Sequence, residues 1–142
     1  MTSFKRLPTG NLFCWGDMLE VIAVFLGGGL GSILRYGVGH LLPREFGGFH
    51  WATFSANIAG ALMIGFLFHL VMKLEPHGAV RAGMITGFLG GLTTFSTFSL
   101  ELFDLLREER FAQACLYGVL SLLLGLLACA AGWFLAREMV GP

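Results

Sequence analysis

The sequence predicts an all-α membrane protein: four transmembrane helices with the third broken mid-membrane, assembling as an antiparallel dual-topology homodimer. Three observations carry this expectation. Of 142 residues 56% are hydrophobic and only 13% charged, with a mean hydropathy of +0.76, far more apolar than an ordinary water-soluble domain. Four apolar stretches follow one another, and at about 20 residues per span across about 30 Å of hydrocarbon they use up most of the chain. The Lys and Arg residues of the short connections divide weakly between the two sides, so neither orientation is strongly imposed and two copies can meet head to foot.

Residues 1–17 read as an N-terminal extension and residues 18–142 as a single four-helix transmembrane channel domain. The extension carries Lys5, Arg6, Pro8 and Gly10 without an apolar h-region and small-residue cleavage site, so no removable signal peptide is expected. The first span, 18–42, is interrupted only by Arg35, His40 and glycines that include Gly27, Gly28, Gly29 and Gly31. Pro43, Gly47 and Gly48 make 43–50 a tight connection. The second span, 51–72, opens on Trp51, an aromatic suited to the membrane interface, and ends before Lys73. A turn over Glu75, Pro76, His77 and Gly78 leads to the third stretch, 80–106. Residues 107–110 form a charged connection, and 111–136 is the longest clean span, closing at Arg137 and Glu138.

Several function classes fall away. Net charge is zero and there is no basic run, which removes the electrostatic footprint of a nucleic-acid partner. Cys14, Cys115 and Cys129 do not form a disulfide framework, because the last two lie far apart along one predicted helix. The four histidines share no metal-ligand spacing. The glycine run near residue 27 lacks the following Lys-Ser/Thr of a phosphate-binding loop.

The third stretch holds the densest chemistry. Gly90 and Gly91 are poor helix formers, and Thr93, Thr94, Ser96 and Thr97 compete locally for backbone groups, so the helix is expected to break at Gly90–Thr93. Irregular backbone at membrane depth survives only where protein or a wet cavity surrounds it, and freed carbonyls there suit alkali cations. An isolated Gly-Gly pair is more readily read as close helix packing; the four neighbouring hydroxyls favour the functional reading. Phe95 and Phe98 can share a helix face, either as packing or as ring edges that meet an anion without a fixed charge.

Other polar residues admit two readings each. Asn57, in the second span, can offer its NH₂ group to an anion or make an interhelical hydrogen bond. Thr53 lies one turn before it. On the fourth helix Tyr117 and Ser121 are four apart and share a face, as part of a polar track or, for Tyr117, as a buried core residue. Arg35 is an intramembrane charge that either snorkels to the interface or raises anion concentration in a vestibule. Glu101 and Asp104 read as interfacial.

Three motifs combine these residues: Gly27-Gly28-Gly29-Leu30-Gly31-Ser32 with Arg35-Tyr36; Asn57-Ile58-Ala59-Gly60; and the run from Gly87-Phe88-Leu89-Gly90-Gly91 through Thr93-Thr94-Phe95-Ser96-Thr97-Phe98-Ser99. Together they resemble the Fluc/CrcB fluoride-channel family over roughly residues 21–137. The resemblance implies an antiparallel homodimer with two fluoride pores and a central structural sodium ion. It implies that Asn57, Phe95 and Phe98 border the ion path with Thr53, Ser96, Thr97, Tyr117 and Ser121, that Arg35 lines the vestibule, and that Gly90 and Thr93 give backbone carbonyls to sodium. Where a further hydroxyl can follow Ser121, this chain has Gly125. The implied activity is passive, selective export of fluoride through the inner (plasma) membrane, lowering fluoride toxicity, with fluoride, the lipid bilayer and a second copy as partners and no catalysis.

Physical logic agrees with that implication. A small, strongly hydrated anion needs donors in place of its water, yet a fixed charge would hold it too tightly. Two competing classes stand beside it. A small proton-coupled exporter needs a membrane-embedded carboxylate, for which the first two spans offer only Glu20 at a boundary. A purely structural membrane protein leaves the donor-rich third stretch unexplained.

Overall fold

The computed structural model describes residues 15–43 and 45–141. The expected extension lies outside them as far as residue 14, with Lys5, Arg6 and Cys14, as does Arg44. Helix α1 is Trp15–Leu41, α2 Trp51–Leu74, α3 Gly78–Arg81, α4 Gly90–Leu92, α5 Phe95–Arg107 and α6 Phe111–Val140, with a π-helical stretch, Ala82–Leu89, between α3 and α4. Among the described residues α1, α2 and α6 are long and apolar enough to cross a membrane. The protein is therefore an all-α, multi-pass membrane protein. Much of the outward surface of α1 and α6 is aliphatic, including Leu30, Ile33, Leu122 and Leu126, as lipid contact requires.

Local sequence explains the ends of these elements. The first helix begins three residues before the expected boundary at 18, placing Asp17 in its first turn, where a negative charge faces the positive end of the helix dipole. Between α1 and α2, Phe46 and Phe49 exchange backbone hydrogen bonds of 3.1 and 3.2 Å around Gly47 and Gly48. Both glycines have positive φ (64° and 83°), the backbone that a two-residue hairpin turn needs. Helix α2 ends where Glu75 turns left-handed and donates its amide to the Val71 carbonyl at 3.1 Å; Pro76 then prevents continuation.

The helices form two close pairs, each with glycines at the contact. Helix α1 lies against the π-helical stretch and α4, and α2 lies against α6. In the first pair a methyl group on Gly31 would collide with the Phe88 carbonyl and sit 2.8 Å from the Leu92 nitrogen, and one on Gly27 would collide with the Gly83 carbonyl. In the second, Gly65 abuts the Cys129 carbonyl and Gly132 the Leu62 carbonyl. With no hydrophobic drive between helices in lipid, such backbone approach supplies the van der Waals packing that holds them. Cys115 and Cys129 are free thiols.

The third stretch differs in detail from the sequence expectation. It is not one helix with a gap at its glycines, since Gly90 and Gly91 are helical. The chain instead becomes extended at Thr93 (φ −86°, ψ 155°) and Thr94 (φ −149°, ψ 113°) and resumes as α5 at Phe95. Threonine chemistry places the interruption. The Thr93 hydroxyl bonds back to the Leu89 carbonyl at 2.8 Å, and the Thr94 hydroxyl caps α5 by accepting from the Thr97 amide at 3.2 Å. The widened π turns before it were not foreseen.

Candidate functional site

The interruption at Thr93 and Thr94 is held from two neighbouring helices. The Thr94 amide donates to Asn57 Oδ1 at 2.8 Å, and Asn57 Nδ2 donates to the Thr94 carbonyl at 3.2 Å. From α1, Arg35 Nε donates to the Gly91 carbonyl at 3.0 Å. Arg35 is thus tied to the end of α4. A guanidinium at a helix C-terminus also complements the negative end of its dipole.

These bonds redirect the donors that an unbroken helix would supply. In a continuous helix the Gly90 carbonyl would accept from the Thr94 amide and the Thr93 carbonyl from the Thr97 amide. The first amide goes to Asn57 and the second to the Thr94 hydroxyl. The Gly90 and Thr93 carbonyl oxygens, three residues apart, thereby lose their helical partners beside one cavity. Hard carbonyl oxygens of this kind suit an alkali cation, so the residues present fit the sodium that the resemblance implies.

Two cavities meet at Thr94. One, of about 580 Å³, is lined by Arg35, Tyr36, His40, His50, Thr53, Thr97 and Glu101 among others. The second, of about 630 Å³, is lined by Asn57, Gly90, Thr93, Phe95, Ser121 and Gly125 among others, and Thr94 lines both. The sequence-derived residues therefore divide into an Arg35–Thr53–Thr97 set and an Asn57–Gly90–Thr93–Phe95–Ser121 set. Ser121 Oγ is buried and has no hydrogen-bond partner among the described residues. Asn57 has a second amide hydrogen beyond the one used on Thr94.

Three expected pore residues lie elsewhere in the single chain. Tyr117 is fully buried (0% exposed), its ring 5.2 Å from that of Phe98, and both belong to the apolar cluster with Phe49 and Leu105. Ser96 is exposed, 3.3 Å from the Thr94 hydroxyl. Phe95 is 79% exposed although Thr97 and Phe98 on the same turn are partly covered; its ring centre is 6.0 Å from that of Phe98.

Glu101, read from sequence as interfacial, also ties three elements together. Its Oε1 accepts from Thr53 Oγ1 at 2.6 Å and its Oε2 from the Tyr117 hydroxyl at 2.7 Å, while His50 Nδ1 lies 3.7 Å from Oε1. The signal was available in the spacing. Thr94, Thr97, Glu101 and Asp104 recur every three or four residues and make one polar stripe along α5. At the outer edge Arg110 donates to Glu45 at 2.6 Å and to Glu108 at 3.3 Å. The hydrogen bond from Arg110 holds the Glu45 carboxyl below its usual range.

The family described as "CrcB-like protein, Camphor Resistance (CrcB)" matches residues 22–133. The chain is also similar to proteins named "Fluoride-specific ion channel FluC". The one from Helicobacter pylori (strain Shi470) is 41% identical over 119 residues, covering 82% of this chain and 92% of the relative. That from Helicobacter acinonychis (strain Sheeba) is 41% identical over 118 residues, 81% and 93% of the two chains. That from Bacteroides fragilis is 38% identical over 125 residues, 85% and 98%.

Proposed function

Because the chain belongs to the CrcB-like family, whose members are channels and not enzymes, we propose that it is a fluoride-selective channel that exports fluoride passively down its electrochemical gradient and so lowers fluoride toxicity. In a bacterium the membrane concerned is the plasma membrane. The observation that carries this reading is the convergence on one cavity of neutral donors that the protein does not otherwise use. Ser121 Oγ is buried without a partner, Asn57 keeps a free amide hydrogen, and the Phe95 ring stands beside them.

The arrangement fits a small hydrated anion. Amide and hydroxyl protons replace lost water, and the positive edge of an aromatic ring attracts the ion, with no full charge among these groups to trap it. Arg35 and the polar stripe of α5 then form the wider, aqueous approach, where a cation concentrates anions. Thr53 and Tyr117 act indirectly. Their hydroxyl protons are engaged by Glu101, so they hold the wall of the approach. In this reading residues 78–107 form the third of the four spans, and the interruption at Thr93 and Thr94 lies near the middle of the membrane.

A second copy in antiparallel orientation completes the path. Phe95 is an aromatic ring left 79% uncovered beside Asn57, a surface that a second copy would cover. Sodium, when bound by the Gly90 and Thr93 carbonyls, supplies positive charge that offsets their dipoles. The residues of this chain do the rest: Asn57 takes the Thr94 amide and the Thr94 hydroxyl takes the Thr97 amide, so that both carbonyls stay out of helical hydrogen bonds, while Arg35 holds the end of α4.

Fluoride efflux from liposomes containing the purified protein tests the proposal. Fast electrogenic loss of fluoride, with chloride retained, is the expected result; fluoride retention equal to that of empty vesicles overturns it.

A further inference from the structure

We propose that His50 is a proton-linked positioning residue that sets the charge at the mouth of the channel, so that fluoride conduction rises as the pH falls. The inference rests on the channel reading above. His50 is the residue that precedes α2, it lines the cavity that contains Arg35, and its Nδ1 is 3.7 Å from Glu101 Oε1. Both side chains are mostly covered, at 15% and 17% exposure, so the pair is shielded from the salt that weakens exposed ion pairs.

The argument is one of charge balance in a narrow cleft. With a neutral imidazole, the Glu101 carboxylate presents a negative charge to any anion that reaches the cavity, tempered by the hydroxyl protons of Thr53 and Tyr117. A proton gained by His50 converts the contact into an ion pair and removes that net charge. Histidine is the side chain that ordinarily changes charge between about pH 5 and pH 8. Low-dielectric walls focus the field of a single charge, and such fields change local ion concentrations tenfold or more.

The other titratable and charged groups around His50 frame the effect. Glu101, with Asp104 one turn later, faces it from α5, and Tyr117, with its ring centre 5.5 Å away, from α6. Glu45 comes from the connection before α2 and is already paired with Arg110. Arg35, Tyr36 and His40 line the α1 side of the same cavity, and His40 stacks edge-on against Tyr36 at 4.4 Å. Of the two histidines, it is His50 that meets a carboxylate in the cavity wall.

The test is fluoride current under voltage in planar bilayers containing the full-length protein, because neutral hydrogen fluoride crosses lipid without carrying current. Between about pH 7.5 and about pH 5.5 the parent current is expected to rise about threefold or more. The expected current of His50→Gln is the same at both values, and His40→Gln keeps the parent response. In the parent itself, histidine ¹⁵N resonances of the labelled protein should show His50 titrating at the same midpoint as the current, a readout that needs no variant to fold. A pH-independent parent current, a response retained in His50→Gln, or a mismatch of the two midpoints overturns the proposal. Absence of fluoride current at every pH overturns the channel reading instead.

Discussion

Asn57 grips Thr94 by both backbone groups, accepting from its amide at 2.8 Å and donating to its carbonyl at 3.2 Å. One carboxamide thus replaces the helical hydrogen bond that the Thr94 amide gives up and adds a second donor to the Thr94 carbonyl, and it does so from a different helix. Asn57→Asp keeps an acceptor for the amide but has no donor for the carbonyl, and it brings a negative charge. We expect the protein to lose about 0.5–1.5 kcal/mol of stability for the lost hydrogen bond and fluoride flux to vanish. Thermal unfolding in detergent and liposome efflux measure the two effects separately. An Asp variant as stable and as active as the parent would show that the grip is incidental.

The glycine seam between α1 and the third stretch gives a paired comparison. Gly31→Ala places a methyl against backbone at Phe88 and Leu92, whereas Gly29→Ala points into open space. Overpacking that backbone contact should cost about 1–3 kcal/mol, while Gly29→Ala should be neutral or slightly stabilising because alanine is the better helix former. Equal melting temperatures for the two variants would contradict the packing described for this seam.

Phe95 and Phe98 separate electrostatics from filling. An aliphatic side chain of similar volume keeps most of the packing and lacks the ring quadrupole. Phe95→Ile should leave assembly intact and slow fluoride flux at least about tenfold, the effect of about 1.4 kcal/mol at the barrier. Phe98→Ile should also slow flux and in addition lower stability, since Phe98 packs on Tyr117. Methionine at position 95 should restore part of the flux through its polarizable thioether. Parental flux in Phe95→Ile means that the ring is filler.

The Glu45–Arg110 ion pair closes the connection between α1 and α2 onto the start of α6. Because Arg110 lowers the Glu45 pKa from its ordinary value of 4.5, the folded state holds the ionised carboxylate more firmly than the unfolded chain does. Its contribution is complete above that ordinary value and is lost as the pH falls through the lowered one. Melting temperatures of the parent and Glu45→Gln should therefore differ slightly at neutral pH and converge in acid. Since both groups are partly exposed, about 1 M salt should erase the difference. A gap that persists in acid or in high salt would rule out the ion pair as its source.

The long apolar runs were legible because hydrophobic length depends on composition alone, and α1, α2 and α6 fall close to the stretches read from residue types. The position of the interruption was less legible. Propensity points to Gly90 and Gly91, but glycine only permits a break; Thr93 and Thr94 direct it, through side-chain bonds whose partners, Leu89 and Asn57, must first be brought together. The hydrogen-bonding role of Glu101 was illegible for a related reason. A carboxylate near a helix end looks solvent-facing in one dimension, and only the approach of Thr53 and Tyr117 from two other helices makes it an acceptor. The division of hydroxyls into engaged ones, on Thr53 and Tyr117, and an unengaged one, on Ser121, likewise depends on three-dimensional proximity.

The two helix pairs also constrain how the chain is assembled during synthesis. The first long helix finds its close partner only when residues 82–92 have emerged, and the second must wait for α6 at the far end of the sequence. These pairings interleave, so neither neighbouring hairpin is a finished unit on its own. Until the last helix leaves the ribosome, the Gly65 face of α2 has only lipid or the insertion machinery against it, and a nascent chain arrested before residue 111 holds a groove where α6 belongs. Closure of the helix packing is thus a late, collective step, because α6 is the last element of the chain.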